Sequence, residues 1–280
     1  MAIDPQSLGY ETEPIDFDYT WRDTVLYALG VGAAPELELD YLYEGHGPKV
    51  VPTYCVVPTF AAFDPLVERI GCDRLGMVHH AQRIDLFKPL RPNARLQVKG
   101  RVEGLYDLKR MAMSSLVFDA FDEEGDQVIR GEVTLLLRND GGFGGERPPK
   151  AERVRLPVRP PDFESVERVA DTQALLYRLN GDYNPLHADP AFAAEARFDK
   201  PLLHGLCTFG YAGRAIVREA CAGDPDRLVS MRAQFSSPVF PGDTVVVRGW
   251  NEDGRVLFAV TTREHPDALC ISNAYATLRN

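Results

Sequence analysis

Residues Tyr177–Gly205 read YRLNGDYNPLHADPAFAAEARFDKPLLHG, and the rest of the chain is organised around this stretch. Asp182 and His187 stand five residues apart with Asn184-Pro185 between them. Proline disfavours helix at the residue before it, so Asn184 is expected to be extended and to start a turn. Gly181 allows backbone angles that other residues avoid. Asp189 is placed to cap a helix beginning at Pro190, where a missing N–H costs nothing. Between these constraints His187 is held near Asp182, and a fixed His beside a fixed Asp can exchange protons with a water at neutral pH. Taken singly, an Asp after Gly is a solvated cap and a His in a turn is a surface residue; the joint pattern Gly-Asp-x-Asn-Pro-Leu-His-x-Asp-Pro is what carries the chemistry.

Downstream, Pro201-Leu202-Leu203-His204-Gly205 opens an apolar helix predicted to run to about Ala220. The first N–H groups of a helix lack internal partners, and Gly205 lets a ligand approach them closely. His204 is either a packing residue or a pocket wall. Upstream, a helix is predicted over Thr172–Leu179 with Asp171 as its cap, and strands over Leu228–Phe235, Thr244–Trp250, Val256–Thr262 and Leu269–Leu278. Asn251-Glu252-Asp253-Gly254 is a hairpin signal.

The first half repeats this order. Residues 1–20 read as an extended arm broken by Pro5 and Pro14, and Trp21–Gly32 as a helix capped by Asp23. Val50–Phe63, apolar and punctuated by prolines, is expected to line a core or pocket. Strands follow between Leu75 and Arg138: Arg95–Val102, Met111–Asp119 and Val128–Leu137. Leu26-Tyr27-Ala28-Leu29 echoes Leu176-Tyr177-Arg178-Leu179, and Ala81-Gln82 echoes Ala233-Gln234, which points to an internal duplication. A helix followed by antiparallel strands, twice over, gives an α+β class. Laying Tyr27 on Tyr177 puts Pro35 on Pro185, Gly32 on Asp182 and Leu37 on His187, so the first copy keeps the turn proline but lacks both proton-transfer groups. NDGGFGGERPPK at 139–150 holds four glycines and two prolines in twelve residues and cannot form a stable element. The domain reading is a first half at 1–140, a linker at 141–161 and a second half at 162–280.

Composition narrows the classes. The 280 residues are 45% hydrophobic and 26% charged, as in a globular protein, with net charge −10 and pI near 5.1. That balance argues against broad nucleic-acid or anionic-membrane binding, though a few local Arg and Lys suffice for an anionic small molecule. Five spaced cysteines with no CxxC suit reduced thiols in a cytoplasmic protein. The acidic start shows no signal peptide, no apolar run spans a bilayer, and Ala276–Asn280 is not a peroxisomal address of the SKL type. Adjacent His79 and His80 would point to opposite faces of a strand, which disfavours a shared metal.

The turn Gly181–Pro190 with His204-Gly205 resembles the signature of the MaoC-like, R-specific 2-enoyl-CoA hydratases (the hydratase 2 family). Trp21–Gly32, Gly141–Gly145 and Phe235–Asp243 (FSSPVFPGD) resemble its two-copy form, so the likeness covers most of the chain. The resemblance implies a double hot-dog fold, each half a long helix wrapped by a curved antiparallel sheet. It implies reversible syn hydration of a trans-2-enoyl-CoA to the (R)-3-hydroxyacyl-CoA, no cofactor beyond the coenzyme A of the substrate, no metal, and a homodimer. Asp182 and His187 carry over as the catalytic pair, Asn184 as an orienting residue and the Gly205 N–H as oxyanion donor. In the two-copy form the empty half accommodates a bulkier acyl chain, a role for Gly32, Leu37 and the Val50–Phe63 segment here. Tyr183, bulky at the variable signature position, is expected to restrict access. The competing readings are a hot-dog acyl-CoA thioesterase and an inactive acyl-CoA-binding subunit.

Overall fold

A computed structural model describes residues 3–150 and 152–279. Met1 and Ala2 of the expected arm, Ala151 of the expected linker and Asn280 lie outside them. Ten strands form one antiparallel sheet: β1 Ile15–Tyr19, β2 Met77–Leu86, β3 Ala94–Asp107, β4 Ala112–Phe121, β5 Gln127–Leu137, β6 Phe163–Arg168, β7 Leu228–Phe235, β8 Thr244–Glu252, β9 Arg255–Thr262 and β10 Ile271–Leu278. Their order is β1-β3-β4-β5-β2-β7-β10-β9-β8-β6. Each half has the same internal order, and the halves meet at β2 and β7. At that seam Ala81 pairs with Gln234 and Gln82 with Ala233, so the echoed dipeptides face each other across an approximate twofold axis. The other echo meets on the same axis: the Trp21–Gly30 helix packs beside Gln173–Tyr177, with the Tyr27 and Tyr177 rings 6.0 Å apart.

In the second half the sheet wraps the Gly205–Ala220 helix, buried along nearly its whole length, as the apolar pattern predicts. The first-half counterpart is not a plain apolar stretch but a broken helical run. Pro52–Cys55 and Phe60–Ala62 are 3-10 turns, and Val56–Thr59 and Phe63–Ile70 are α-helical. Pro52, Pro58 and Pro65 explain both the breaks and the concealment of the helix in the sequence, since each lacks an N–H and restricts the residue before it. Together the halves make the double hot-dog. Residues 139–162, between β5 and β6, carry no helix or strand where described.

Several local expectations are corrected. The arm ends in β1, and β6 precedes the second-half helices; both are short edge strands, at opposite ends of the sheet, whose few alternating residues give little signal. Asp23 is not the cap of the first helix. Thr20 caps it, and Asp23 accepts from the Thr20 N–H at 2.7 Å as the return half of a capping box. Thr172, not Asp171, precedes the Gln173–Tyr177 helix, and Asp171 instead pairs with Arg168 at 2.9 Å. The Asn251–Gly254 turn forms as predicted, with positive φ at Asp253 and Gly254.

A buried ion cluster ties the halves together. Arg214, 3% exposed on the Gly205–Ala220 helix, donates to both carboxylate oxygens of Glu38, to Glu167 at 2.8 Å and to the Val31 carbonyl at 2.8 Å. A guanidinium so enclosed persists only because nearly all its donors are matched.

Candidate active site

The Tyr177–Gly205 stretch folds as a loop held against the start of the long helix. Gly181 takes φ +116°, which a side chain would resist. Asn184 Oδ1 accepts from the Leu186 N–H at 3.0 Å and caps the Pro185–His187 turn. Asp182 Oδ1 accepts weakly from the Asn184 N–H at 3.3 Å. Asp189 Oδ1 caps the Pro190–Glu195 helix through the Ala191 N–H at 2.8 Å, as the sequence predicts.

These constraints bring Asp182 and His187 together with His204, each offering an atom within 4.8 Å of the others. His187 Nδ1 lies 3.0 Å from the Leu202 carbonyl. A carbonyl can only accept, so Nδ1 carries the proton and Nε2 is the free lone pair. The His204 ring stacks on His187 with centroids 3.7 Å apart, and its Nε2 donates to the Asp182 carbonyl at 3.2 Å. His204 takes the packing alternative: it is 1% exposed, lies behind His187 and does not line the cavity described below. It is the fifth ring of a row running Tyr19, Tyr54, Tyr27, Tyr177, His204, His187, with centroid spacings from 3.7 to 6.0 Å.

Burial lowers the pKa of His187 below its ordinary value, opposed by the nearby Asp182 charge and by the Leu202 carbonyl. Burial pushes His204 down to about 2, helped by His187. Both imidazoles are neutral at physiological pH. With Nδ1–H fixed, the His187 Nε2 lone pair beside Asp182 suits proton exchange with a water.

The pair opens onto a cavity of about 720 Å³. Gly205, Asp182, Asn184 and His187 all line it. Gly205 is the first helical residue, so its N–H has no partner within the helix. A Cβ there would stand 3.3 Å from the Phe235 ring, which shows how closely that wall approaches the backbone. All four residues chosen from the sequence thus meet at one place.

The opposite wall is what the sequence did not reveal. It comes from the first half: Thr59, Phe60 and Phe63 of the broken helix, Phe118 of β4, and Val133 and Leu135 of β5. Only their alternation along strands marks the β residues, and that says which side faces inward, not which pocket it joins. Of the segment Val50–Phe63, only the end from Thr59 reaches the cavity; Val57 is buried and does not line it. Leu37 does not line it either. It is 72% exposed beside a separate surface pocket of about 390 Å³. Gly32 faces the Tyr211 ring. The positions aligned with Asp182 and His187 therefore leave no greasy cavity of their own, because the Arg214–Glu38 cluster lies beside them. Tyr183 is likewise turned away: it is 61% exposed beneath the Arg178 guanidinium, 5.2 Å from its ring, and does not line the cavity.

Residues 153–268 match the MaoC like domain family, and residues 17–139 match the MFE-2 hydratase 2 N-terminal domain. The 3-hydroxyacyl-thioester dehydratase Y of Mycobacterium tuberculosis is 41% identical over 269 residues, covering 92% of this chain and 91% of that protein. The chain belongs to the MaoC-like hydratase 2 family. A second member, the peroxisomal enoyl-CoA hydratase 2 of Arabidopsis thaliana, is 35% identical over 280 residues, covering 92% of this chain and 90% of its own. Among solved structures, a MaoC-like dehydratase from Phytophthora capsici superposes with TM-score 0.88 at 30% identity, covering 99% of this chain and 98% of its own. This family member thus carries its signature on the second half, and the two matched segments divide the chain between β5 and β6.

Proposed function

We propose that the protein hydrates trans-2-enoyl-CoA to (R)-3-hydroxyacyl-CoA and catalyses the reverse dehydration. The observation that carries this reading is the meeting of Asp182, His187 and the free N-terminal end of the Gly205–Ala220 helix on one cavity. A thioester conjugated to an alkene is electrophilic at C3. Asp182 and the His187 Nε2 lone pair hold one water; its oxygen bonds to C3, its proton passes to the pair, and a proton is delivered to C2 on the same face. The thioester oxygen gains negative charge as this happens, and the Gly205 N–H donates to it, an interaction worth about 2.7–4 kcal/mol in such sites. Asn184 holds the loop that orients the pair. The net change is addition of H and OH, with no electron transfer and no cofactor outside the substrate's own coenzyme A. In this reading the first half is the catalytically empty one, and it accommodates the acyl chain through Phe60, Phe63 and Phe118. A cavity of this size falls within the range that holds a drug-sized ligand, which supports acyl groups well beyond four carbons.

The names of the two relatives support the reaction. Among the described residues no helix is long and apolar enough to cross a membrane. The reading extends to a cytoplasmic homodimer. Five buried thiols without disulfides support a reducing compartment, and the exposed Leu29 and Leu175 on the paired helices at the twofold axis, with Leu179 in the turn that follows, supply an apolar face. Fractionation and sedimentation test these two points. The reaction is tested by adding trans-2-enoyl-CoA and following its ultraviolet band together with free thiol. Loss of the band without thiol, and product consumed by an R-specific but not an S-specific 3-hydroxyacyl-CoA dehydrogenase, is expected. Thiol release points to a thioesterase, and no change in either points to a binding subunit.

A further inference from the structure

The cavity wall facing the catalytic pair is not uniformly apolar. Among the phenylalanines and aliphatic side chains sit His79 and Gln82 of β2. Three residues apart on a regular strand they would face opposite sides. The register of β2 against β5 slips between His79 and Ala81, which makes His80 an extra residue and puts His79 on the Gln82 face.

Both side chains present lone pairs there. His79 Nε2 lies 3.2 Å from the Ala81 carbonyl, so Nε2 carries the proton and Nδ1 is an acceptor. Burial lowers this imidazole to a pKa of about 4, so it stays neutral. Gln82 is 1% exposed, and its Nε2 donates to the Arg83 carbonyl at 3.0 Å, which fixes the amide's orientation. The His79 and Gln82 side chains interact with each other, and no third group among the described residues donates to His79 Nδ1 or Gln82 Oε1. The neighbouring hydroxyls are committed elsewhere: Thr59 donates to the Val56 carbonyl at 2.6 Å and Thr208 faces the His204 carbonyl at 3.5 Å. A plain alkyl chain lying here desolvates these acceptors and brings them no donor, which is costly. A ketone would add a third acceptor. A hydroxyl can donate, shared between the two in the manner of a three-centre bond.

We propose that His79 and Gln82 form a hydroxyl-recognition point in the acyl cavity, so that the favoured substrates are 2-enoyl thioesters bearing a hydroxyl on the distal part of the acyl chain. This rests on the hydratase reading and names its substrate class. The Phe235 ring separates the recognition point from the reaction centre: it lies 3.3 Å from the Cβ position of Gly205 on one side and 5.0 Å, centroid to centroid, from His79 on the other. The hydroxyl therefore belongs several carbons beyond the alkene.

The test uses trans-2-enoyl-CoA thioesters of increasing length in three matched forms: unsubstituted, ω-hydroxy, and with a ketone at the penultimate carbon. In the wild-type enzyme the hydroxy form should exceed the unsubstituted form in kcat/KM about three- to tenfold at one length, the span of a single neutral hydrogen bond. The ketone should fall below both. Gln82→Met and His79→Phe should each reverse the hydroxy-to-alkyl ratio at that length, whatever their effect on absolute rates. The wild-type series stands alone if either variant fails to fold. An unsubstituted chain preferred at every length overturns the proposal, as does a hydroxy preference that survives in both variants. Absence of hydration with all three forms overturns the hydratase reading and this inference with it.

Discussion

Removing His187 provides the sharpest test of the catalytic geometry. Its Nδ1–H is tied to the Leu202 carbonyl at 3.0 Å and its ring rests on His204, so Nε2 is presented as a base in one orientation. General acid–base help of about 10²–10⁴-fold corresponds to about 2.7–5.5 kcal/mol of barrier. His187→Ala and Asp182→Asn should each lower kcat by at least about 10²-fold with small change in KM, because the pair acts on the water rather than on the coenzyme A portion. Since both act on one water, the double variant should be scarcely slower than either single one, giving a coupling energy about as large as a single loss. Protonation tests the same point. His187 is lowered below 6.5 by burial, and as a base it works when neutral. In the wild type kcat/KM should be level around neutrality and decline only below pH 6.5; in His187→Ala that decline should vanish. Initial rates of loss of the enoyl band, with circular dichroism to verify folding, measure all of this. Multiplicative losses in the double variant, or near-wild-type turnover in either single one, would refute the assignment.

Chain-length selectivity should respond to the wall that the structure identifies. Phe63→Trp should depress kcat/KM on long unsubstituted enoyl-CoA while sparing crotonyl-CoA, whereas Val57→Trp, away from the cavity, should not discriminate by length; equal losses across lengths for Phe63→Trp would remove the first half from the acyl site. Acid should weaken the fold early. The folded pKa values of His79 and His204, about 4 and about 2, lie below the unfolded value of roughly 6.5, so the unfolded chain binds protons first. The stability is fully present above the unfolded value and is lost as pH falls from it toward the folded ones, about 1.4 kcal/mol per imidazole by pH 5.5. Urea unfolding at pH 7.5 and 5.5 measures it, and His79→Phe should reduce the difference. Glu38→Gln should cost about 3–5 kcal/mol in the same assay by leaving Arg214 short of a charge, and a loss below 1 kcal/mol would show the cluster to be dispensable.

The sequence by itself determined the turn that brings Asp182 and His187 together, because its constraints are local. Gly181, the Asn184-Pro185 step and the Asp189 cap act on their own neighbours, so Asp182 and His187 were legible from their spacing, and Gly205 from the start of the helix that it opens. It also determined the duplication, since echoed dipeptides survive as text and then face each other across the twofold axis. The long second-half helix was legible because its apolar pattern runs unbroken, whereas its first-half counterpart was hidden by three prolines. Only the tertiary structure decided which residues line the cavity beside Asp182 and His187. Leu37 lay on His187 by alignment and yet faces solvent, while Phe60, Phe63 and Phe118, with no motif around them, form the wall. The bulge at His80 shows the same limit at one residue: a slip between two paired strands turns His79 into the cavity, and pairing between distant strands is not written in either strand alone.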